Sequence, residues 1–238
     1  MALIEAFNLT KQYNTGGAVV EALRSADFKL EEGEFVALMG PSGSGKSTLL
    51  SILGAMNPPT TGKLIIDDID VYGLSVEMRA DFRHEYLGFV FQQLQLIPYL
   101  SAVENTMLPL AITKYPHKEQ LEMAMEALER VGLGNKADRL PNQLSGGEQG
   151  RVAIARAIVN HPPVILADEP TGSLDSRTGT EVMDLFKSLN EDGLTIIMVT
   201  HNPENAPYAG RVIQIRDGRV IGDKENAEHG VAAVGSSR

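Results

Sequence analysis

The sequence predicts an α/β fold in which helices cover both faces of a mostly parallel sheet. Four short apolar runs, at residues 35–39, 87–91, 164–167 and 195–200, are rich in Val, Ile and Phe. Because these runs lack polar alternation, they are typical of strands that are buried on both faces. Residues 120–131 carry apolar side chains at three- and four-residue spacing, which predicts an amphipathic helix between the strands.

Other segments are predicted to form antiparallel β-structure. Residues 62–71 follow the Pro58-Pro59 pair, and Asp217-Gly218 separates two apolar runs at 211–215 and 219–221, which is a strong hairpin signal. With further β elements near the N-terminus, these segments predict an antiparallel β subdomain beside the parallel core. Residues from about 95 to 143 are predicted to be a mainly helical insertion.

These elements predict one domain over residues 1–225. Its core would comprise residues 1–94 and 144–225, and its helical subdomain would comprise about 95–143. Residues 226–238 are rich in Ala, Gly and Ser without periodicity, so this tail is predicted to be disordered.

Composition excludes several classes of function. The 238 residues include 21 Lys and Arg against 31 Asp and Glu, a formal net charge of −10, which argues against a nucleic-acid partner. The absence of cysteine excludes disulfides, thiol catalysis and cysteine-based zinc sites. No apolar run approaches the roughly 20 residues of a membrane helix, and no signal peptide is visible at the N-terminus. We therefore expect a cytosolic, acidic protein.

A glycine-rich loop follows the first apolar run. It reads G-x-x-x-x-G-K-[ST] and lies between a predicted strand and a predicted helix, the context that a phosphate-binding loop requires. Its glycines allow backbone N–H groups to surround a phosphate, Lys46 can reach the β- and γ-phosphates, and Ser47 can bind Mg²⁺. The residues predicted to bind a nucleotide here are Gly40, Pro41, Ser42, Gly43, Ser44, Gly45, Lys46, Ser47 and Thr48.

Two adjacent carboxylates, Asp168 and Glu169, end the apolar run at 164–167. Ligands of parallel sheets bind at the carboxyl ends of the strands, the same edge as the phosphate loop. Asp168 is predicted to hold the water shell of Mg²⁺, and Glu169 to polarise a water that attacks the γ-phosphate. A solvated loop start is the alternative for such carboxylates, and the phosphate loop favours the catalytic interpretation.

A third motif, Leu144-Ser-Gly-Gly-Glu148, leads into a predicted helix. By itself it indicates either an anion-binding helix N-terminus or a plain N-cap. It resembles the signature motif of ABC-transporter ATPases, and the remaining motifs of that family are present in order over residues 3–222. They are Tyr13 in the adenine-stacking position, the phosphate loop, Gln92 of the Q-loop, Asp168-Glu169 of Walker B, Asp175 of the D-loop, and His201 as the switch histidine.

The resemblance implies a P-loop NTPase of the ABC ATPase class, with ATP and Mg²⁺ as its ligands. Two subunits would pair head to tail, and each bound ATP would be contacted by residues of both chains. The residues that would contact the partner's ATP site are Ser145, Gly146, Gly147, Glu148 and Asp175. Glu169 would act as the general base, and His201 and Lys46 would position the γ-phosphate. Gln92 would couple Mg²⁺ to the helical insertion, and Mg²⁺ would be held by Ser47, Gln92 and, through water, Asp168.

Residues 91–98 and 103–110 resemble the lipoprotein-release and macrolide-export branch of the family. This resemblance implies a homodimer on the cytoplasmic face of the cell membrane and a separate integral permease. Residues 94–99 would form part of the groove for the permease, or would only pack the helical insertion. An importer subunit, a soluble ABC ATPase and a regulator that binds ATP without hydrolysing it are the alternatives.

Gly150 departs from the family pattern, which has Gln at this position of the signature helix. Glycine in the first turns of a helix costs up to about 1 kcal/mol relative to Ala. We therefore expect slower turnover or a shifted contact rather than an inactive site.

Overall fold

The computed structural model describes residues 2–226 and divides the chain into two compact units. The first unit comprises the described residues up to Arg79 and from Leu189 onward, and the second comprises Ala80–Ser188. The predicted tail lies outside the described residues except for Asn226, whose side-chain amide donates to the carbonyl oxygens of Ala206 and Ala209.

Within residues 2–226 the structure forms ten strands and six α-helices, connected by loops and short 3₁₀ turns. The strands are β1 (Ala2–Thr15), β2 (Ala18–Glu31), β3 (Phe35–Met39), β4 (Thr61–Ile66), β5 (Ile69–Asp70), β6 (Leu87–Val90), β7 (Val164–Asp168), β8 (Thr195–Thr200), β9 (Arg211–Arg216) and β10 (Arg219–Glu225). The helices are α1 (Lys46–Leu53), α2 (Val76–Tyr86), α3 (Ala102–Met107), α4 (His117–Arg130), α5 (Gly146–Ile158) and α6 (Ser176–Glu191).

The first unit contains an antiparallel sheet with the order β2-β1-β4-β5. Gly16 and Gly17, both at positive φ, form the turn of the long β1–β2 hairpin. A second set of strands has the order β10-β9-β3-β8, in which β3 is parallel to β8 and β9. The predicted hairpin is present, because Asp217 and Gly218 both adopt positive φ and join antiparallel β9 and β10.

The second unit contains the parallel pair β6 and β7, in register from Leu87 opposite Val164. The segment between residues 95 and 143 has only helices, 3₁₀ turns and loops. Helix α4 buries Ala124 and Leu128 of the predicted apolar stripe, and Ala127 beside them, whereas Leu121 of that stripe is 37% exposed. No described helix has the length and apolar content that crossing a membrane requires.

The predicted α/β class is confirmed, with antiparallel strands near the N-terminus and helices in the insertion. Strands β3 and β8 have the predicted bounds, while the predicted strand at 62–71 is interrupted and ends at Asp70. It ends there because the Asp70 carboxylate accepts a hydrogen bond from the backbone N–H of Gly73 and caps a 3₁₀ turn. The exact limits of the helical subdomain stay a prediction.

Candidate nucleotide site

The phosphate loop connects β3 to α1 and is shaped by two glycines that pass very close to other backbone. A β-carbon on Gly40 would lie 2.0 Å from the carbonyl oxygen of Ile215, and one on Gly45 would lie 2.4 Å from the carbonyl oxygen of Ala22. Gly45 also has φ +103°, which favours glycine. Only glycine fits at these two positions, so the loop keeps its backbone N–H groups available to an anion.

Lys46 folds back over this loop. Its Nζ donates hydrogen bonds to the carbonyl oxygens of Gly40 at 2.8 Å and Pro41 at 3.0 Å, and the residue is only 7% exposed. The hydroxyl of Ser44 is buried and has no hydrogen-bond partner among the described residues. A buried ammonium and a buried hydroxyl within a glycine cradle fit a phosphate, whose anionic oxygens are strong acceptors for both.

Tyr13 lies on β1 and pairs across the hairpin with Val20 of β2. The side-chain amide of Asn57 donates to the Tyr13 hydroxyl at 2.6 Å, and Lys11 Nζ lies 5.2 Å from the ring centroid. The ring is therefore held at its hydroxyl and by a cation over the ring, and it stays 37% exposed. Lys11 was not among the predicted site residues, although its two-residue separation from Tyr13 places both on one strand face.

His201 follows β8 directly and is exposed. The backbone after it is fixed by Thr200, which is fully buried and accepts hydrogen bonds through Oγ1 from the Asn202 N–H at 3.0 Å and the Asn205 side-chain amide at 3.2 Å. These hydrogen bonds fix the path of the backbone where it leaves β8 at His201.

In the second unit the structure brings Gln92 to the turn after Asp168 and Glu169. A β-carbon on Gly172 would lie 3.1 Å from Nε2 of Gln92, and the Ser173 hydroxyl donates to the Gln92 carbonyl oxygen at 3.2 Å. The Gly172 N–H in turn donates to the carbonyl oxygen of Glu169 at 2.9 Å. Asp168 is the last residue of β7, so the predicted Q-loop and Walker B residues are neighbours.

Glu169 adopts φ +47°, in the left-handed region that non-glycine residues rarely occupy. A non-glycine residue held there costs on the order of 1–3 kcal/mol, and such strain concentrates at functional sites. Its carbonyl contact with Gly172 holds this turn in place. The backbone conformation of Glu169 is thus held by a hydrogen bond within the turn that follows β7.

The signature motif forms the start of α5. Ser145 is the N-cap: its hydroxyl accepts from the Glu148 N–H, and the Glu148 carboxylate accepts from the Ser145 N–H at 2.9 Å. Lys136 also donates to the Glu148 carboxylate, and this contact is the main reason why the pKa of Glu148 is lowered. Ser145 and Gly146 are exposed, whereas Gly147 and Gly150 are buried.

Asp175 precedes α6 and is exposed. Its Oδ2 accepts from the Thr178 hydroxyl at 2.6 Å and its Oδ1 from the Thr178 N–H at 3.1 Å. The pKa of Asp175 is lowered, mainly by the hydroxyl of Thr178. The carboxylate is therefore ionised and held at the start of α6.

A further contact joins α5 to the segment after Gln92. The guanidinium of Arg156 donates to the carbonyl oxygens of Gln95 at 2.7 Å and Leu94 at 2.6 Å. Leu94 and Gln95 have φ +50° and +48°, so two consecutive non-glycine residues are held in the left-handed region. Burial lowers the pKa of Arg156. Its partners lie about sixty residues away, and no sequence signal marked this contact.

The predicted site residues are divided between the two units. The first carries the phosphate loop, Tyr13 and His201; the second carries Gln92, Asp168, Glu169, the signature motif and Asp175. Among residues 2–226 no group of three or more His, Asp or Glu side chains is arranged to hold a metal ion.

Known proteins match this chain over most of its length. The family model described as ABC transporter matches residues 23–172. An uncharacterised ABC transporter ATP-binding protein of Thermotoga maritima is 49% identical over 220 residues, which cover 92% of this chain and 94% of that protein. The macrolide export ATP-binding/permease protein MacB of Syntrophobacter fumaroxidans is 49% identical over 221 residues, 92% of this chain but only 31% of MacB.

Among solved structures, the ATP-binding cassette MJ0796 superposes with a TM-score of 0.84 at 45% identity, covering 93% of this chain and 98% of that one. That structure is a dimer in a post-hydrolysis state bound to ADP and Pi. Its sequence belongs to an ABC transporter ATP-binding protein of Methanocaldococcus jannaschii.

Proposed function

Because the chain belongs to the ABC transporter family as an ATP-hydrolysing subunit, we propose that ATP closes two copies of it into a dimer that drives a separate membrane permease. The observation that supports this most directly is the phosphate loop, whose glycine cradle, buried Lys46 and buried Ser44 hydroxyl fit a nucleotide phosphate. The predicted membership of the family and the likeness to the macrolide-export branch are both confirmed.

In this proposal the phosphate loop binds the triphosphate and Tyr13 stacks on the adenine. Lys46 exchanges its hydrogen bonds to the loop carbonyls for bonds to the phosphate oxygens, which are stronger acceptors. Ser47, Gln92 and Asp168 are the residues that would hold Mg²⁺ together with phosphate oxygens, as sites of this kind do. Mg²⁺ would neutralise charge on the phosphates.

Glu169 is the general base of the proposed hydrolysis, and His201 orients the γ-phosphate. The strained backbone of Glu169 supports this assignment, and so does the position of Gln92, whose side-chain amide lies at the turn that follows Glu169. The oxygen of the attacking water bonds to the γ-phosphorus while one of its protons passes to the Glu169 carboxylate. The bond between the γ-phosphorus and the bridging oxygen breaks, so ADP and phosphate are the products.

The signature motif and Asp175 are assigned to the ATP site of the partner subunit. Ser145 and Gly146 are exposed at a helix N-terminus, where backbone N–H groups and the helix dipole attract an anion. Glu148 has its carboxylate engaged by Lys136 and by the Ser145 N–H, so it supports the shape of this N-terminus. Gly147 would contribute backbone only.

A permease partner is inferred from the relatives. MacB is named as an ATP-binding/permease protein, and this chain matches about a third of its length, so we infer that the chain works with a membrane permease. Residues 94–99 are proposed to form part of its docking surface: Tyr99 is 78% exposed, while Leu94 is buried and anchors the segment. We place the assembly on the cytoplasmic face of the membrane, with export favoured over import by the same relatives.

The proposal is tested with Glu169→Gln. We expect steady-state turnover to fall by about 100-fold or more, because a general base contributes roughly 10²–10⁴-fold. The variant should still bind ATP and form a stable dimer, measured by light scattering with ATP and Mg²⁺. Glu126→Gln, at an exposed position of α4, is the matched control and should behave as wild type. Unchanged turnover in Glu169→Gln would overturn the base assignment.

The same variant is used to test whether the chain binds a membrane permease. Tagged Glu169→Gln is incubated with ATP, Mg²⁺ and detergent-solubilised native membranes, and the captured proteins are identified. We expect a permease with a large extracytoplasmic domain. A many-helix permease with a binding protein would indicate an importer, and a dimer that captures no membrane protein would contradict the transporter assignment.

A further inference from the structure

The signature glycine Gly147 is covered by a single methyl group of its own chain. A β-carbon on Gly147 would lie 2.2 Å from Cγ2 of Thr178, whereas the next nearest atoms, Cβ and Oγ1 of Thr178, are 3.6 and 3.9 Å away. Gly147 is not at positive φ, so alanine is restricted there by this contact alone. The first turn of α6 thus fills the space beside the start of α5.

The hydroxyl on the same β-carbon holds Asp175. Thr178 Oγ1 donates to Asp175 Oδ2 at 2.6 Å while Cγ2 packs on Gly147. Both groups are fixed to Cβ, so rotation about χ1 to another staggered rotamer moves them together. A side chain at position 147 that displaced the methyl would therefore also break the hydroxyl bond to Asp175.

We propose that Thr178 is a positioning residue that sets the signature motif and Asp175 relative to each other. The inference rests on the proposed function, which assigns both segments to the partner's ATP site. It gives Gly147 a role beyond its backbone N–H group, because the missing side chain leaves room for Thr178. The signature motif and Asp175 would therefore enter the dimer with their relative position already fixed within one subunit.

A substitution at Thr178 can remove the positioning role and still leave the N-terminal cap of α6 in place. The backbone N–H of Thr178 donates to Asp175 Oδ1 whatever side chain is present, so non-proline substitutions at 178 retain it. Thr178→Val keeps the methyl packing and removes the hydroxyl, and Thr178→Ser keeps the hydroxyl and removes the methyl. The Val and Ser side chains are similar in size to Thr, and the positioning role predicts opposite results for the two variants.

The first experiment compares them for kcat, KM and ATP-driven dimerisation, the last in the Glu169→Gln background. We expect Thr178→Val to lower kcat by about five-fold and to raise the ATP concentration for half-maximal dimerisation by a similar factor, since a hydrogen bond to an ionised group is lost. Thr178→Ser should keep at least half of kcat. Both should melt within about 2 °C of wild type. Equal effects of the two variants would overturn the inference.

The second experiment is a rescue. Gly147→Ala is expected to lose about ten-fold in kcat, and Gly147→Ala with Thr178→Ser to recover most of that loss, because the obstructing methyl is gone. Gly147→Ala with Thr178→Val should not recover. Gly150→Ala is the steric control, since its β-carbon would meet Val182 and Leu174 only at 3.5 and 3.7 Å. A double variant no better than Gly147→Ala would contradict the proposal.

A Glu169→Gln chain that stays monomeric in ATP, with Thr178 intact, would overturn the proposed function. A Glu169→Gln chain that dimerises normally, combined with equivalent Val and Ser variants at 178, would overturn only the positioning role.

Discussion

The phosphate loop and the start of α5 are both glycine-rich turns into a helix, but their glycines are confined by different kinds of atom. A β-carbon on Gly40 or Gly45 would clash with the carbonyl oxygen of Ile215 or Ala22, which belong to the backbone of β9 and β2. A β-carbon on Gly147 would instead clash with a side-chain methyl, that of Thr178. Backbone in a sheet cannot move without breaking ladder hydrogen bonds, whereas a methyl can be removed by one substitution.

This difference indicates how each turn tolerates change. The shape of the phosphate loop is determined by the backbone of the surrounding strands. A clash introduced at one of its glycines therefore cannot be relieved by a second substitution. The start of α5 is determined by one neighbouring side chain, and its shape can be adjusted at that neighbour.

Gly45→Ala is expected to have the largest effect. The new β-carbon would meet the Ala22 carbonyl oxygen at 2.4 Å at a residue with φ +103°, so the loop must distort and ATP affinity should fall by about 100-fold or more. Isothermal titration with ATP and Mg²⁺ measures the loss. The control is Ala22→Gly, which removes a side chain and leaves the obstructing carbonyl.

Combining Gly45→Ala with Ala22→Gly should therefore give no recovery of affinity, in contrast to the rescue expected at Gly147. Recovery in this double variant would show that the phosphate loop is confined by side chains after all, and the distinction between the two turns would be lost.

Lys136→Met is expected to have an intermediate effect. Lys136 lowers the pKa of Glu148 below its ordinary value of 4.5, so the ion pair stabilises the fold above that pH and the contribution is lost as pH falls through the lower folded pKa. Removing Lys136 should raise the acid midpoint of unfolding and weaken ATP-driven dimerisation by about two- to three-fold, measured by melting curves at pH 3–7 and by light scattering.

Lys118→Met is the matched control, because Lys118 forms an ion pair with Glu122 that is exposed on both sides and lies outside the signature helix. It should change neither measurement. An identical response of the two variants would remove Glu148 from the elements that shape the start of α5.

Gly150→Ala is expected to have the smallest effect on activity. Its β-carbon meets ordinary contact distances at Val182 and Leu174, and alanine favours the helix over glycine by about 0.8–1 kcal/mol. We expect turnover within two-fold of wild type and a free energy of unfolding higher by up to about 1 kcal/mol in urea. A loss of turnover above five-fold would mean that α5 responds to any added carbon and that Gly147 is not special.

The parts of the fold that local sequence determines were predicted well. Strands β3 and β8 have the predicted bounds because their apolar runs are uninterrupted, and the Asp217-Gly218 turn has a strong local signature. Helix α2 was missed because its mean hydropathy is low and Phe82 is its only buried residue.

The motifs of the candidate site were predicted, but the residues that hold those motifs were not. Lys136 meets Glu148, Arg156 meets Leu94, and Thr178 meets Gly147 only after the chain has folded. None of the three pairs follows a helical or strand spacing, so periodicity gave no signal for them. The roles assigned to the motif residues themselves stay predictions.

The contact of Arg156 has a consequence for how the segment after Gln92 can vary. The guanidinium binds only main-chain oxygens, those of Leu94 and Gln95, so this contact is indifferent to the side chains at both positions. Gln95 is exposed, and its side chain can be exchanged while the backbone path is retained. The chemistry of the proposed permease-docking surface can therefore change among relatives while the loop that carries Gln92 keeps its shape.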